Sequence, residues 1–332
     1  MCTAMLDCSV RPLFGRTLDL ECSYGERGVC LERDHPLSFL AEPPMPMHAL
    51  IKGMAHVHGE VPLFYDAVNE HGLAMAALNF PHSALYQQRR EGMHNCASFE
   101  LIGWILGQCK TLAEAVALLR KTNVLADSIS PTLPATPLHW MIADRSGAVV
   151  AEPLADGLTV VKNPYGVLTN EPPFAAQVEN LAQYRHLSPH AGQNLLCPSA
   201  ELPILSRGTG AVGLPGDWSS PSRFVRAVFV KEHTVVESAG EERIEDACDH
   251  AVNRFFRMME SVSLPLGVVR TERGDAVQTQ YTSCADLLTG EYYFHTYGCR
   301  AVRRVGTPAA GSARSQSGKV PPPKLGEVRQ KL

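Results

Sequence analysis

The order in which two hydrophobic periodicities alternate along the chain constrains its fold most. Residues 2 to 10 and 13 to 20 read as extended segments around a turn at Arg11 and Pro12, and short apolar runs continue to residue 80. Between Asn95 and Lys121 the spacing becomes helical: Leu101, Ile102, Ile105 and Leu106, then Leu112, Ala115, Val116 and Leu119, with a break near Lys110 and Thr111. Strand character returns in Leu138 to Ile142, Ala148 to Ala151 and Leu158 to Val161, a meander punctuated at Asp144 to Gly147 and Asp156-Gly157. From about Glu241 to Glu260, residues Ala251, Val252, Phe255, Phe256 and Met259 extend one apolar stripe begun at Ile244, Ala247 and Cys248, opposite a charged face. Gln278 to Cys284 and Glu291 to Tyr297 then predict a hairpin across Thr289-Gly290, and this sheet ends the folded part of the chain. Strands, helices, strands, helices and strands in this order predict an α+β fold of two sheets covered by helices. A length of 332 residues admits one domain or two, and this arrangement suits one.

Charge excludes two partner classes. Lys+Arg 30 against Asp+Glu 34 leaves a net charge of -4, which gives no footprint for nucleic acid or an anionic membrane. The best apolar run, Leu101 to Leu106, falls far short of the roughly 18 to 20 residues that span a bilayer and is interrupted by Gly103. The opening MCTAMLDCSV lacks a basic and an apolar leader region, so a cytoplasmic protein is expected. The 10 cysteines are scattered without a CxxC, which favours buried thiols over a zinc site or disulfides. From Gly306 to Leu332 there is no aromatic residue, and Pro308 and Pro321 to Pro323 interrupt any element, so residues 306–332 are expected to be a disordered basic tail.

Cys2 stands apart from the other thiols. Once Met1 is removed it is the first residue, and one residue then carries both nucleophile and base: an α-amine with a pKa near ~7.7–8.0 keeps a neutral fraction that can relay a proton for its own thiol. On the next strand, FGRTLDLE places Arg16 and Asp19 beside the strand that begins at Cys2, so a cation and a carboxylate are expected to face that amine. His56 and His58, at i and i+2, resemble a metal pair only superficially because no third ligand has a matching spacing. Gly208-Thr209-Gly210 lacks the lysine of a phosphate loop and reads as a turn. No metal and no cofactor is expected.

The segments MCTAML, FGRTLDLE, NEHGLAMAALNFP (69–81), LHWMIAD (138–144), GVLTNEPPF (166–174), GLPGDWSSPSRFVRAVF (213–229) and QYTSCADLLTGEYYFHTY (280–297) together resemble the choloylglycine hydrolase family of bile salt hydrolases and penicillin V acylases. The resemblance runs in order from Met1 to about Val305. It implies an N-terminal nucleophile hydrolase, a four-layer αββα sandwich of two antiparallel sheets in a single domain over residues 1–305. It also implies Cys2 as nucleophile, Arg16 and Asp19 as its supports, Asn79 and Asn170 on the oxyanion side, and Arg223 as a further active-site cation. Around the mouth it places Leu18, Tyr24, His58, Tyr65 and Leu133. Asn79 in LNFP resembles the bile salt branch, with glycine- or taurine-conjugated bile acids as substrate and penicillin V as the alternative. A homotetramer is implied as well, with the Pro-, Gly- and Asn-rich segment from about Leu181 to Pro215 reaching toward a neighbour.

Overall fold

A computed structural model describes residues 1–59, 61–130, 133–235 and 244–306. Apart from Gly306, the tail expected at 306–332 lies outside the described residues. The first hairpin forms as expected from β1 (Cys2–Asp7) and β2 (Leu13–Leu20), followed by β3 (Arg27–Leu31), β4 (Ile51–His58), β5 (Val61–Asn69) and β6 (Ala74–Asn79). Next come β7 (His94–Ala97), helices α1 (Leu101–Gln108) and α2 (Leu112–Leu119), and β8 (Thr122–Leu125), which pairs in parallel with β7. The expected meander is β9 (Leu138–Asp144), β10 (Gly147–Leu154) and β11 (Gly157–Lys162). Beyond it lie β12 (Val167–Leu168), α3 (Phe174–Leu181), α4 (Ser220–His233), α5 (Ile244–Glu260), β13 (Val269–Arg270), β14 (Ala276–Asp286), β15 (Glu291–Thr296) and β16 (Cys299–Arg304).

Apart from β7 and β8, these strands make two antiparallel sheets. The first runs β12-β1-β2-β14-β15-β16, with β13 on β14, and the second runs β11-β10-β9-β6-β5-β4-β3. Period-two alternation assigns the faces of the second sheet. Ala74, Ala76, Leu78, Met141 and Val150 join one core with Ala4, Phe14 and Leu18 of the first sheet. Their neighbours Met75, Ala77, Trp140, Ile142 and Ala151 join another core with α1 and α2. Phe224 of α4 and Phe255, Phe256 and Met259 of α5 pack on the outer side of the first sheet. The architecture is thus the αββα sandwich.

Local chemistry explains several boundaries. The break expected near Thr111 is an N-cap: its side chain accepts the Glu114 N–H at 3.2 Å, an interaction worth ~1 kcal/mol. Gly15 in FGRTLDLE is required by packing, because a Cβ there would stand 2.0 Å from the Ser283 carbonyl oxygen and 2.8 Å from the Phe255 ring.

Two elements go beyond the expected pattern. After the β14–β15 hairpin, Cys299–Arg304 adds an edge strand whose exposed basic residues hide the pattern. The segment SPSRFVRAVFVKEH, read only as a motif, is a helix. Its buried face carries Arg223 and Arg226 among the apolar residues, which obscures the stripe.

Candidate active site

The site lies where the first strands of the molecule meet the ends of β6 and β12. Cys2 opens β1 opposite Leu18 of β2 and is 3% exposed. Its backbone nitrogen donates to Asn170 Oδ1 at 2.7 Å, just after β12. Met1 precedes it in the chain, and the Met1 amino group donates to the Asp19 carbonyl at 2.6 Å. Removing Met1 would therefore leave an amine already directed at a carboxamide oxygen and close to Asp19.

Asn170 ties the parts together. Its Oδ1 also accepts from Arg223 Nη2 at 2.8 Å, and its Nδ2 donates to the Asn79 carbonyl at 2.8 Å. Its own N–H donates to Ser220 Oγ at 2.8 Å. Arg223 Nη1 reaches the Cys2 carbonyl at 2.5 Å and Thr3 Oγ1 at 2.7 Å, so helix α4 delivers one guanidinium that grips both β1 and Asn170. Cys2, Asn79, Asn170 and Arg223 thus form one connected network.

Arg16 and Asp19 both border this network but do not share a face. Their odd spacing in β2 sends Arg16 into the space between the sheets, where Nη1 donates to the carbonyls of Ala77 at 2.5 Å and Tyr65 at 3.2 Å. Asp19 projects from the other face, accepting from Thr279 Oγ1 at 2.6 Å and Thr17 Oγ1 at 3.2 Å. Strand periodicity thus puts the expected cation and carboxylate on opposite faces of β2.

The two buried arginines respond oppositely to the same surroundings. For Arg16, burial disfavours the charge, yet Cys2, Tyr281, Asp66 and Asp19 outweigh it and hold the guanidinium above its ordinary pKa. For Arg223, burial prevails over Asp19 and Cys2 and pulls the pKa below its ordinary value, while the group stays a cation near neutral pH. Both can favour a thiolate at Cys2. Arg16 Nη2 has no hydrogen-bond partner among the described residues, so a donor remains for an added group.

The five mouth residues are less tightly joined. Leu18 is buried beside Cys2, and Tyr65 lends its carbonyl to Arg16. Tyr24 is 48% exposed, its carbonyl faces His56 Nδ1 at 2.7 Å, and His56 and His58 have ring centroids 6.5 Å apart. Leu133 lies on a separate connection, bridged to Ser130. Sequence reasoning missed Thr3, Thr17, Ser220 and Thr279, whose hydroxyls hold Arg223, Asp19 and Asn170. The alternation of Thr with Asp19 and Arg16 in GRTLD was the only available signal.

Comparison with known proteins agrees with this geometry. Residues 2–307 match the linear amide C–N hydrolases of the choloylglycine hydrolase family. The chain is 39% identical over 300 residues to the bile salt hydrolase/transferase of Lactiplantibacillus plantarum, covering 90% of this chain and 89% of that one. It is 33% identical over 288 residues to the corresponding protein of Clostridium perfringens, covering 86% and 85%. A crystal structure of the conjugated bile acid hydrolase of Clostridium perfringens superposes with a TM-score of 0.82 at 31% identity, over 92% of each chain. The penicillin V acylase of Agrobacterium tumefaciens shares the fold, with a TM-score of 0.69 at 19% identity over 91% of this chain and 84% of that one. The chain belongs to the choloylglycine hydrolase family of linear amide C–N hydrolases.

Proposed function

We propose that this protein hydrolyses the amide bond of glycine- or taurine-conjugated bile acids, with Cys2 as nucleophile after loss of Met1. The carrying observation is the Cys2 nitrogen held by Asn170 Oδ1 at 2.7 Å, which orients an amine beside its own thiol. The thiol proton passes to the amine as sulfur attacks the carbonyl carbon. Negative charge collects on the carbonyl oxygen, where N–H groups of Asn79 and Asn170 are the donors in this reading. The C–N bond then breaks, the ammonium returns a proton to the departing nitrogen, and glycine or taurine leaves a thioester on Cys2. Water attacks that thioester, gives up a proton to the amine, and releases the bile acid and the thiol. Arg16 and Arg223 favour the thiolate, and Asp19 orients the amino end of the chain. Leu18, Tyr24, His58, Tyr65 and Leu133 form the rim against which the steroid lies.

The relatives' names support this substrate class, and an amine replacing water at the thioester would give the transferase reaction that two of them also carry in their names. Penicillin V acylase chemistry is the second reading, on the same scaffold. The deciding experiment compares kcat/KM for glycocholate, taurocholate and penicillin V on protein whose N-terminal residue has been sequenced. Both bile salts should exceed penicillin V, and the reverse order would replace this reading with the second.

The same proposal takes residues 1–305 as one domain in a homotetramer in the cytoplasm. In the segment from 181 to 215, Leu195, Leu196, Leu202, Ile204, Leu205 and Val212 are all more than half exposed, the apolar surface expected of a subunit contact. A monomeric mass in light scattering at micromolar concentration would overturn the tetramer. The described cysteines are all free, which suits a reducing compartment, and among the described residues no helix is long and apolar enough to cross a membrane.

A further inference from the structure

The segment LHWMIAD holds one residue to which the mechanism above gives no task. His139 is fully buried in β9, on the face of the second sheet that meets the first. Its ring stacks on Phe80, with centroids 4.2 Å apart and planes 6° from parallel. Nε2 lies 2.8 Å from the Thr169 carbonyl, and Nδ1 lies 3.1 Å from Glu152 Oε1 on the adjacent strand β10. Glu152 Oε1 also accepts the Phe174 N–H at 2.9 Å, at the start of α3.

Phe80 directly follows Asn79, and Thr169 directly precedes Asn170. One imidazole therefore touches the chain next to each of the two asparagines whose N–H groups face the developing oxyanion. A carbonyl can only accept, so Nε2 carries the hydrogen in the Thr169 contact. Glu152 fixes the ring and through Phe174 fixes the turn that follows Asn170. A donor array misplaced by about 1 Å can forfeit on the order of 10²-fold in rate, so an unyielding backing is worth having.

We propose that His139, held by Glu152, is a positioning residue that sets the spacing of Asn79 and Asn170 and so tunes oxyanion stabilisation. This rests on the reading of those asparagines given above. It implies a split between two reactions of Cys2. Hydrolysis passes through a tetrahedral oxyanion, whereas alkylation by iodoacetamide displaces iodide from carbon and forms none.

The test uses His139→Phe, which keeps a ring to stack on Phe80 but removes both hydrogen bonds, and His139→Gln, whose amide N–H groups can still reach Thr169. In His139→Phe, kcat should fall ~10²-fold with KM within about threefold, while the alkylation rate of Cys2 stays within about twofold. His139→Gln should recover most of the lost kcat. Equal losses in hydrolysis and alkylation, or a folded His139→Phe with unchanged kcat, would overturn the proposal. If His139→Phe does not fold, Glu152→Gln carries the test with the same split at smaller size, and its absence counts against the proposal equally. Wild-type protein inert toward bile salts would sink the substrate reading alone, and the split is then read on penicillin V. If no amide is cleaved, amide exchange decides: Phe80 and Asn170 should exchange faster in His139→Phe with β14 unchanged, and uniform or unaltered exchange overturns the inference.

Discussion

The cluster around Cys2 and the rim around Tyr24 and His58 sit on the same sandwich but are built differently. Cys2, Arg16, Asp19, Asn170 and Arg223 are all buried, and their polar contacts lead to backbone carbonyls, hydroxyls of neighbouring strands or one another. In the rim, Tyr24 is half exposed and His58 is exposed, and the Tyr24 hydroxyl bonds the nearby Glu21 at 3.1 Å. In the proposed mechanism this contrast separates reactivity from recognition. Groups that must act on a charge developing at a fixed point are anchored by the backbone of both sheets. Groups that meet a bulky apolar substrate need area more than angle.

The comparison breaks most severely at the cluster. Cys2→Ser should lower kcat by roughly 10³-fold or more while the melting temperature stays near that of the wild type, because a hydroxyl is far harder to ionise than a thiol near neutral pH. A blocked N-terminus retained before Cys2 should be equally inactive, since the amine is then an amide. Product assays on protein verified by mass spectrometry check both, and substantial turnover by the blocked form would remove the proposed base.

Next in size is Asn170→Ala. It should lower kcat ~10²- to 10³-fold by taking away one oxyanion donor. It should also lower the melting temperature, because Arg223 Nη2 and the Cys2 nitrogen both lose their acceptor. A change confined to KM would place Asn170 in the rim's class instead.

These two effects also divide what was readable beforehand from what was not. Cys2, Arg16, Asp19 and the first hairpin could be placed from sequence because they lie within one local element, and alternation along a strand is a short-range property. The same alternation puts Arg16 and Asp19 on opposite faces of β2. The resemblance supplied Asn79, Asn170 and Arg223. Their joining could not be read locally, because it depends on Arg223 crossing from α4 to the Cys2 carbonyl over a separation of 221 residues. Helix α4 itself was hidden by the two buried arginines on its packed face.

The space between the sheets offers a third, smaller test. Asp66 is buried and accepts from Tyr281 at 2.5 Å, Tyr292 at 2.6 Å and Ser283 at 2.7 Å, joining β5 to β14 and β15. Burial raises its pKa above the ordinary 3.8, against the opposing pull of Arg16 and the three hydroxyls. The folded chain therefore holds this proton more tightly than the unfolded chain. Asp66 contributes stability in acid that is lost as pH rises from the ordinary carboxylate range through the folded value. Asp66→Asn should cost about 1–3 kcal/mol, since its amide hydrogens confront hydroxyl donors. The gap in melting temperature between wild type and variant should narrow as pH rises through that window. A gap that widens there would mean the folded state prefers the carboxylate.

The smallest effect belongs to the rim, and it sharpens the contrast most directly. A tyrosine offers ~150–250 Å² to burial, and about half of Tyr24 is already covered in the free protein. Covering part of the remainder with a steroid face, at ~25 cal/mol per Å², contributes about 1 kcal/mol, roughly fivefold in affinity. That contact forms on binding and persists into the transition state, so it lowers KM without touching kcat. Tyr24→Ala should therefore raise KM for glycocholate and taurocholate about fivefold, with kcat within about twofold. It should do so equally for both conjugates, because the ring meets the steroid they share and not the amino acid head. Steady-state kinetics on both substrates reads all three quantities. A fall in kcat comparable to that of Asn170→Ala would show that the rim orients the scissile bond, and the division between anchored reactivity and area-based recognition would not hold.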